Sequence, residues 1–164
     1  MTEKTQSTAD NQSSFTFPEQ GPLLNERVSV RINPDTSHRV AGTIVRQDAA
    51  AGGELIIEFD NETYARFAEV VDIFSPFWSK MPFTSLEQVC IRSPIDLNKF
   101  PKQGRLTGER VYVHFHGMGN DEMPGTLVRD DMEKPFESII KLDDGRFVRG
   151  GWECTFRILI PAKT

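Results

Sequence analysis

The chain holds little cysteine: two residues in 164, Cys90 and Cys154. That is too few for a disulfide framework and fits a reducing compartment, so a soluble, cytoplasmic (intracellular) protein is expected, with both thiols packed and inert. No apolar run approaches the roughly 18–20 residues that a membrane-spanning helix needs. The opening stretch MTEKTQSTADNQSS has neither the basic start nor the apolar core of a secretory signal. There is no Cys-x-x-Cys, no G-x-S-x-G elbow, no P-loop and no dinucleotide fingerprint. Basic charge is also short, with 19 Lys+Arg against 24 Asp+Glu and a net charge of −5. A generic binder of phosphate backbones would carry the opposite balance. What is present, 38% hydrophobic and 26% charged residues, is the composition of a globular protein.

The strongest positive signal is an internal repeat. Shifted by 83 residues, Glu26-Arg27-Val28-x-Val30 falls on Glu109-Arg110-Val111-x-Val113, and Gly42-Thr43-x-Val45-Arg46-x-Asp48 falls on Gly125-Thr126-x-Val128-Arg129-x-Asp131. Glu54, Ile56, Ile57, Asp60 and Arg66 then match Glu137, Ile139, Ile140, Asp143 and Arg149. These are 14 identities over positions 26–66 without a gap, where unrelated segments of ordinary composition would share roughly two or three. We read the pattern as a duplication.

Each copy reads as short strands. Val28, Val30 and Ile32 alternate with polar residues, as do Val111, Val113 and Phe115, which is the period of a half-buried strand. Further strands are expected at Thr43–Val45 and Thr126–Val128, Leu55–Phe59 and Ser138–Leu142, Tyr64–Phe67 and Phe147–Arg149, with a last one at Ile73 and at Phe156–Ile160. Asp60-Asn61 and Asp143-Asp144-Gly145 carry hairpin-turn chemistry. Strands this short in about 50 residues suit a small bent barrel, since an open sheet would leave both edges bare. The phrase R-V-x-V, G-T-x-V-R, I-x-L-D-D-G-x-F-V, carried by Val111, Val113, Gly125, Val128, Asp143, Asp144, Gly145 and Val148, resembles the Tudor-like branch of the SH3-like barrels. Copy one departs from it, with Asn61-Glu62 in place of Asp144-Gly145.

The expected fold is therefore mainly all-β: two SH3-like small β-barrels in tandem. Residues 1–22 are expected to form a disordered tail, whose Phe15 and Phe17 either dock back onto the body or stay solvated, with 23–74 the first barrel, 75–105 a connector and 106–162 the second barrel. The connector holds Phe77, Trp78, Phe83 and Phe100, and a capping-box pattern at Thr84–Glu87 marks one short helix in it. Its aromatics are expected to wedge between the barrels and set their orientation. Both barrels are acidic and the connector is basic: Lys+Arg against Asp+Glu is five to nine over 26–73, seven to ten over 109–157 and five to two over 74–108.

Candidate chemistry is sparse. His114-x-His116 puts two imidazoles on one strand face, and Asp121, Glu122, Asp130 or Asp131 would have to complete a metal site; solvated histidines are the preferred reading, and no metal or cofactor is expected. The recurring Asp48/Asp131 and Asp60/Asp143 fall at turns and loop starts, where carboxylates bond backbone amides more often than they serve as acid or base. No catalytic residue is assigned and a non-enzymatic role is expected. Arg46/Arg129 and Arg66/Arg149 read as ion-pair partners of Asp48/Asp131 and Asp60/Asp143, in preference to a shared ligand contact. Aromatic residues on the rim of a small barrel can receive a cationic side chain. In copy two this makes Tyr112, His114, His116, Phe136 and Trp152, with Asp131 and Asp144, the candidate partner-binding set. Phe115 and Phe147 are assigned to the core instead.

Arg27-x-x-x-Arg31 followed by Gly42-Thr-Ile-Val-Arg-Gln-Asp48-Ala-Ala-Ala-Gly52-Gly53 is similar to the PilZ barrels, which implies cyclic-dinucleotide binding through Arg27, Arg31 and Asp48. Here Ala50 replaces the expected serine and the glycine spacing is off by one. The preferred reading is an interaction or adaptor module whose acidic barrels recognise a basic or extended protein segment. A PilZ-like regulator is the alternative and a nucleic-acid-associated accessory role the third; no membrane partner is expected, and the oligomeric state stays open.

Overall fold

The computed structural model describes residues 16–31, 39–70, 72–74, 99–117 and 119–159. The expected connector helix and Trp78 fall outside these. The described chain is mainly β and forms two five-stranded antiparallel sheets. The first contains β1 (Arg27–Arg31), β2 (Val40–Gln47), β3 (Leu55–Phe59), β4 (Tyr64–Arg66) and β5 (Asp72–Phe74). The second contains β6 (Arg110–Phe115), β7 (Met123–Asp130), β8 (Ser138–Leu142), β9 (Phe147–Arg149) and β10 (Cys154–Ile158). Their orders, β4-β3-β2-β1-β5 and β9-β8-β7-β6-β10, are the same topology. Among the described residues the end strands of neither sheet are joined by a ladder; in the second sheet a single bridge links Gly150, just past β9, to Cys154. No described helix is long and apolar enough to cross a membrane.

Period-two alternation does in space what it promises in sequence. Val28 and Val30 point into a first core with Ile44, Leu55, Ile57, Phe59 and Ile73, while Val111, Val113 and Phe115 point into a second with Leu127, Ile140, Leu142 and Val148. Gly42 and Gly125 sit at close approaches of β2 to β3 and of β7 to β8. A Cβ at either would lie 2.8 Å from the carbonyl oxygen of Glu58 or Lys141.

Both long strands break this alternation at the same place. Ile44 pairs with Ile57, but Arg46 pairs with Ile56, so Val45 is a β-bulge; Leu127–Ile140 and Arg129–Ile139 leave Val128 bulged in the same way. In an unbroken strand Arg46 would follow Ile44 into the apolar core, two residues on. The bulge turns it to the opposite face, beside Ile56. That face is where the two sheets meet: Ile56, Tyr64, Ile139 and Phe147 form a third buried cluster, with Val45 and Val128 packed against it. The Tyr64 and Phe147 rings lie 5.6 Å apart, tilted by 37°. Strand faces of the two sheets thus pack directly on each other; Phe77, Trp78 and Phe83 of the expected connector wedge lie outside the described residues. Within the described connector residues Phe100 alone contributes an aromatic ring, packed against the first core.

Residues 16–22, expected in the tail, are laid along the first sheet. Gln20 bridges Asp48, and the Gly21 amide donates to the Gln47 carbonyl at 2.7 Å. Leu23 follows as a fully buried core residue.

At the β3–β4 turn Glu62 takes φ 64° where Gly145, its counterpart, takes φ 90°. A side chain in this left-handed region is strained by about 1 kcal/mol. Glu62→Gly is expected to raise the unfolding free energy by about 0.5–1 kcal/mol in urea denaturation; a lowered midpoint would contradict the strain.

Candidate functional site

The densest chemistry lies at the seam between the sheets. The Arg46 guanidinium donates from Nε and Nη2 to Asp48 at 2.9 and 3.1 Å, from Nη1 and Nη2 to Glu153 at 2.6 Å each, and from Nη1 to the Phe147 carbonyl at 3.2 Å. All five guanidinium N–H donors are engaged. Arg129 mirrors it across the seam, donating to Asp131 at 3.0 and 2.8 Å, to Glu69 at 2.7 and 2.8 Å and to the Tyr64 carbonyl at 2.9 Å. Each arginine is 1% exposed, pairs with a carboxylate of its own sheet and takes its other carboxylate and a carbonyl from the opposite sheet.

Burial is the largest influence on both guanidiniums and disfavours their charge. The hydrogen bonds and charges of the two carboxylates outweigh it, so both pKa values move upward and the pairs stay ionic.

Between them lies a second exchange. Arg66 donates to Glu54 at 2.9 and 2.8 Å and crosses to Glu137 at 2.9 Å, while Arg149 donates to Glu137 at 3.0 and 3.1 Å and reaches Glu54 at 3.5 Å. Four guanidiniums thus meet six carboxylates along one seam.

The sequence expectation that Arg46 and Arg129 pair with Asp48 and Asp131 agrees with this geometry. The companion expectation for Arg66 and Arg149 is corrected: their carboxylates are Glu54 and Glu137. Asp60 and Asp143 pair instead with the exposed Arg27 and Arg110, at 2.6 Å each. Those guanidiniums hold both aspartate carboxyls below their ordinary range. Asp48 and Asp131 also accept the Glu54 and Glu137 amides at 2.9 Å, the backbone role that turn carboxylates favour.

The candidate partner-binding residues lie on β6 and the loop after it, on the β7–β8 loop, in the β8–β9 turn and on the β9–β10 loop. Asp131 is corrected to a buried structural residue, closed off by Arg129, Gln103 and the Glu137 amide. Tyr112 and His114 are half-buried on β6; the Arg157 guanidinium lies 4.7 Å over the Tyr112 ring and is itself paired with Glu122. His116 is exposed, and no group of three His, Cys, Asp or Glu among the described residues could hold a metal ion. Asp144 pairs with Arg146 in the β8–β9 turn. Phe136 and Trp152 are largely bare, 62% and 69% exposed, and the Arg149 guanidinium lies 5.2 Å over the Trp152 ring. Phe115 and Phe147 are buried, as expected. Cys154 is buried as well, and desolvation pushes its thiol up to about 12.

The alternative dinucleotide set divides between β1 and the seam. Arg27 and Arg31 belong to one strand and Arg27 is held by Asp60, whereas Asp48 is buried at the seam.

Two sets of residues escaped the sequence reading. Glu69 and Glu153 play the same part, but they stand 84 residues apart rather than 83, so the gap-free match skips them. The segment Phe17-Pro18-x-Gln20-Gly21 recurs as Phe100-Pro101-x-Gln103-Gly104 at the 83-residue offset. It would have been found by extending the match backwards from Glu26.

No protein-family model matches the chain, and no curated protein matches it.

Removing one partner of a buried ion pair leaves the others uncompensated. Arg129→Ala abandons Glu69 and Asp131 in the seam and is expected to cost about 3–5 kcal/mol of stability. Arg27→Ala, at the exposed pair, is expected to cost far less. Equal losses in urea denaturation would remove the special standing of the seam.

Proposed function

We propose that the protein is a non-enzymatic interaction module, built as two duplicated small barrels of the SH3-like kind, that takes up a basic or extended segment of a partner protein. The observation that carries this reading is the placement of Met132, Phe136 and Trp152, the large hydrophobic residues left exposed among those described. All three lie on loops of the second sheet. The first sheet has Ala49 and Gly53 at the 83-residue offset, and Ala68 at the 84-residue offset that aligns Glu69 with Glu153, so the duplication supplies a comparison in which one copy alone bears bare apolar side chains. Exposed aromatics of this kind favour partner contact over solvent.

The charge of the partner follows from the surroundings. Glu133 is exposed between Met132 and Phe136, and the Trp152 face already accepts the guanidinium of Arg149. A cationic side chain is the natural ligand for such a ring. The carboxylates that might have served catalysis are committed elsewhere: Asp48 and Asp131 to the seam, Asp60 and Asp143 to surface ion pairs.

Fluorescence anisotropy with synthetic extended 12-residue peptides of graded Lys and Arg content tests the reading. Affinity is expected to rise with basic content, to fall with salt, and to drop at least about tenfold in Trp152→Ala and Phe136→Ala. Absence of binding, or binding indifferent to both substitutions, would overturn it.

A further inference from the structure

The segments Phe17–Gly21 and Phe100–Gly104 are bound in the same way by equivalent residues. Each runs antiparallel to the end of a long strand, with bridges Gln20 to Asp48 and Gln103 to Asp131. The main chain supplies matching hydrogen bonds: Gly21 N to Gln47 O and Ala49 N to Glu19 O in one sheet, Gly104 N to Asp130 O and Met132 N to Lys102 O in the other, all at 2.7 Å. This is strand addition carried out within one chain.

The side chains are read as well. Gln20 donates to Asp48 at 3.0 Å and accepts the Gln47 amide at 2.9 Å; Gln103 donates to Asp131 at 2.7 Å and accepts the Asp130 amide at 2.8 Å. Phe17 lies under the guanidinium of Arg46 at 4.8 Å, and Phe100 under that of Arg129 at 5.2 Å. A Cβ at Gly21 would lie 2.6 Å from Gln47 Oε1, and one at Gly104 would collide with the Asp130 carboxylate. Proline has no N–H to leave unsatisfied and favours the extended form. The middle position, Glu19 or Lys102, is exposed and differs in charge. Four of five positions are therefore specified by chemistry and the fifth is open, which is the signature of a recognition motif.

Phe17 and Gln20 are half-buried, whereas Leu23 is fully buried. Phe17 also flanks a cleft of about 270 Å³ at the seam, floored by Leu24, Val45 and Phe147 and rimmed by Asp144 and Arg146. Clefts where two structural units meet are favoured ligand sites.

We propose that this groove is a second recognition site, specific for an extended Phe-Pro-x-Gln-Gly segment, which the chain's own residues 17–21 occupy in cis and which a partner segment of the same pattern displaces. The proposal rests on the interaction reading above but uses other residues than Phe136 and Trp152. Occupancy in cis lowers the apparent affinity by the fraction of time the groove is open.

The test uses the full chain and a fluorescein-labelled peptide of residues 14–21, Ser-Phe-Thr-Phe-Pro-Glu-Gln-Gly, followed by anisotropy. Gln20→Ala, which weakens the resident segment, is expected to bind the peptide at least tenfold more tightly than the unsubstituted chain. A peptide with alanine at the glutamine position is expected to lose that binding. Trp152→Ala, which removes the other surface, is expected to leave peptide binding unchanged, so failure of one site is distinguishable from failure of the other. Should Gln20→Ala not fold, a benzophenone in place of the peptide's second phenylalanine is expected to crosslink to the unsubstituted chain beside Arg46 or Arg146. No binding and no crosslink, or equal affinity for both chains, would overturn the proposal.

Discussion

Burying a guanidinium is the constraint on which the rest of this structure depends. An arginine removed from water costs several kcal/mol unless its donors and its charge are both answered. Arg46 and Arg129 are answered in full only when the two sheets are together, because each takes one carboxylate from its own sheet and another carboxylate and a carbonyl from the other. Neither sheet alone completes the set. The apolar contacts of Ile56, Tyr64, Ile139 and Phe147 supply area at the seam, but area is non-directional. The bidentate pairs supply register and angle, and the bulges at Val45 and Val128 exist to aim the arginines there.

The seam explains which residues the two copies kept. Of the 14 matched positions, Val45, Arg46, Asp48, Glu54, Ile56 and Arg66 line the seam with their counterparts. Val28, Val30 and Ile57 are core, Gly42 allows close strand approach, and Arg27, Thr43 and Asp60 form one surface cluster. The retained arginines thus complete the seam, and Arg46 and Arg129 also cover the Phe17 and Phe100 rings. The overall charge is sharpened by the same account: six carboxylates against four guanidiniums at the seam place part of the −5 inside the molecule rather than on its surface. A cationic partner must therefore be attracted by local carboxylates such as Glu133.

Much of the fold was legible because period-two alternation survives in Val28–Val30 and Val111–Phe115, and because the repeat doubled every local signal. The seam was not legible for a physical reason. A bulge reverses the facing of the side chains after it, so Arg46 and Arg129 look core-directed by simple counting. The partners of Arg66 and Arg149 were misassigned because turn aspartates invite pairing, while Glu54 and Glu137 sit across a strand pair from the arginines. Phe136 and Trp152 were visible as candidates, but composition does not tell a loop tip from a core position. The strand-like segment at Phe17 was legible only in part: its aromatic ring suggested docking onto the body, but a polar, proline-containing stretch resembles a tail until its counterpart at Phe100 is laid beside it.

If each sheet needs the other to satisfy its buried arginine, the two must unfold together. Differential scanning calorimetry of the full chain measures this most directly. The account predicts one transition whose calorimetric and van't Hoff enthalpies agree. Two separable transitions, or a van't Hoff enthalpy well below the calorimetric one, would show that each sheet is stable without the seam and would contradict it.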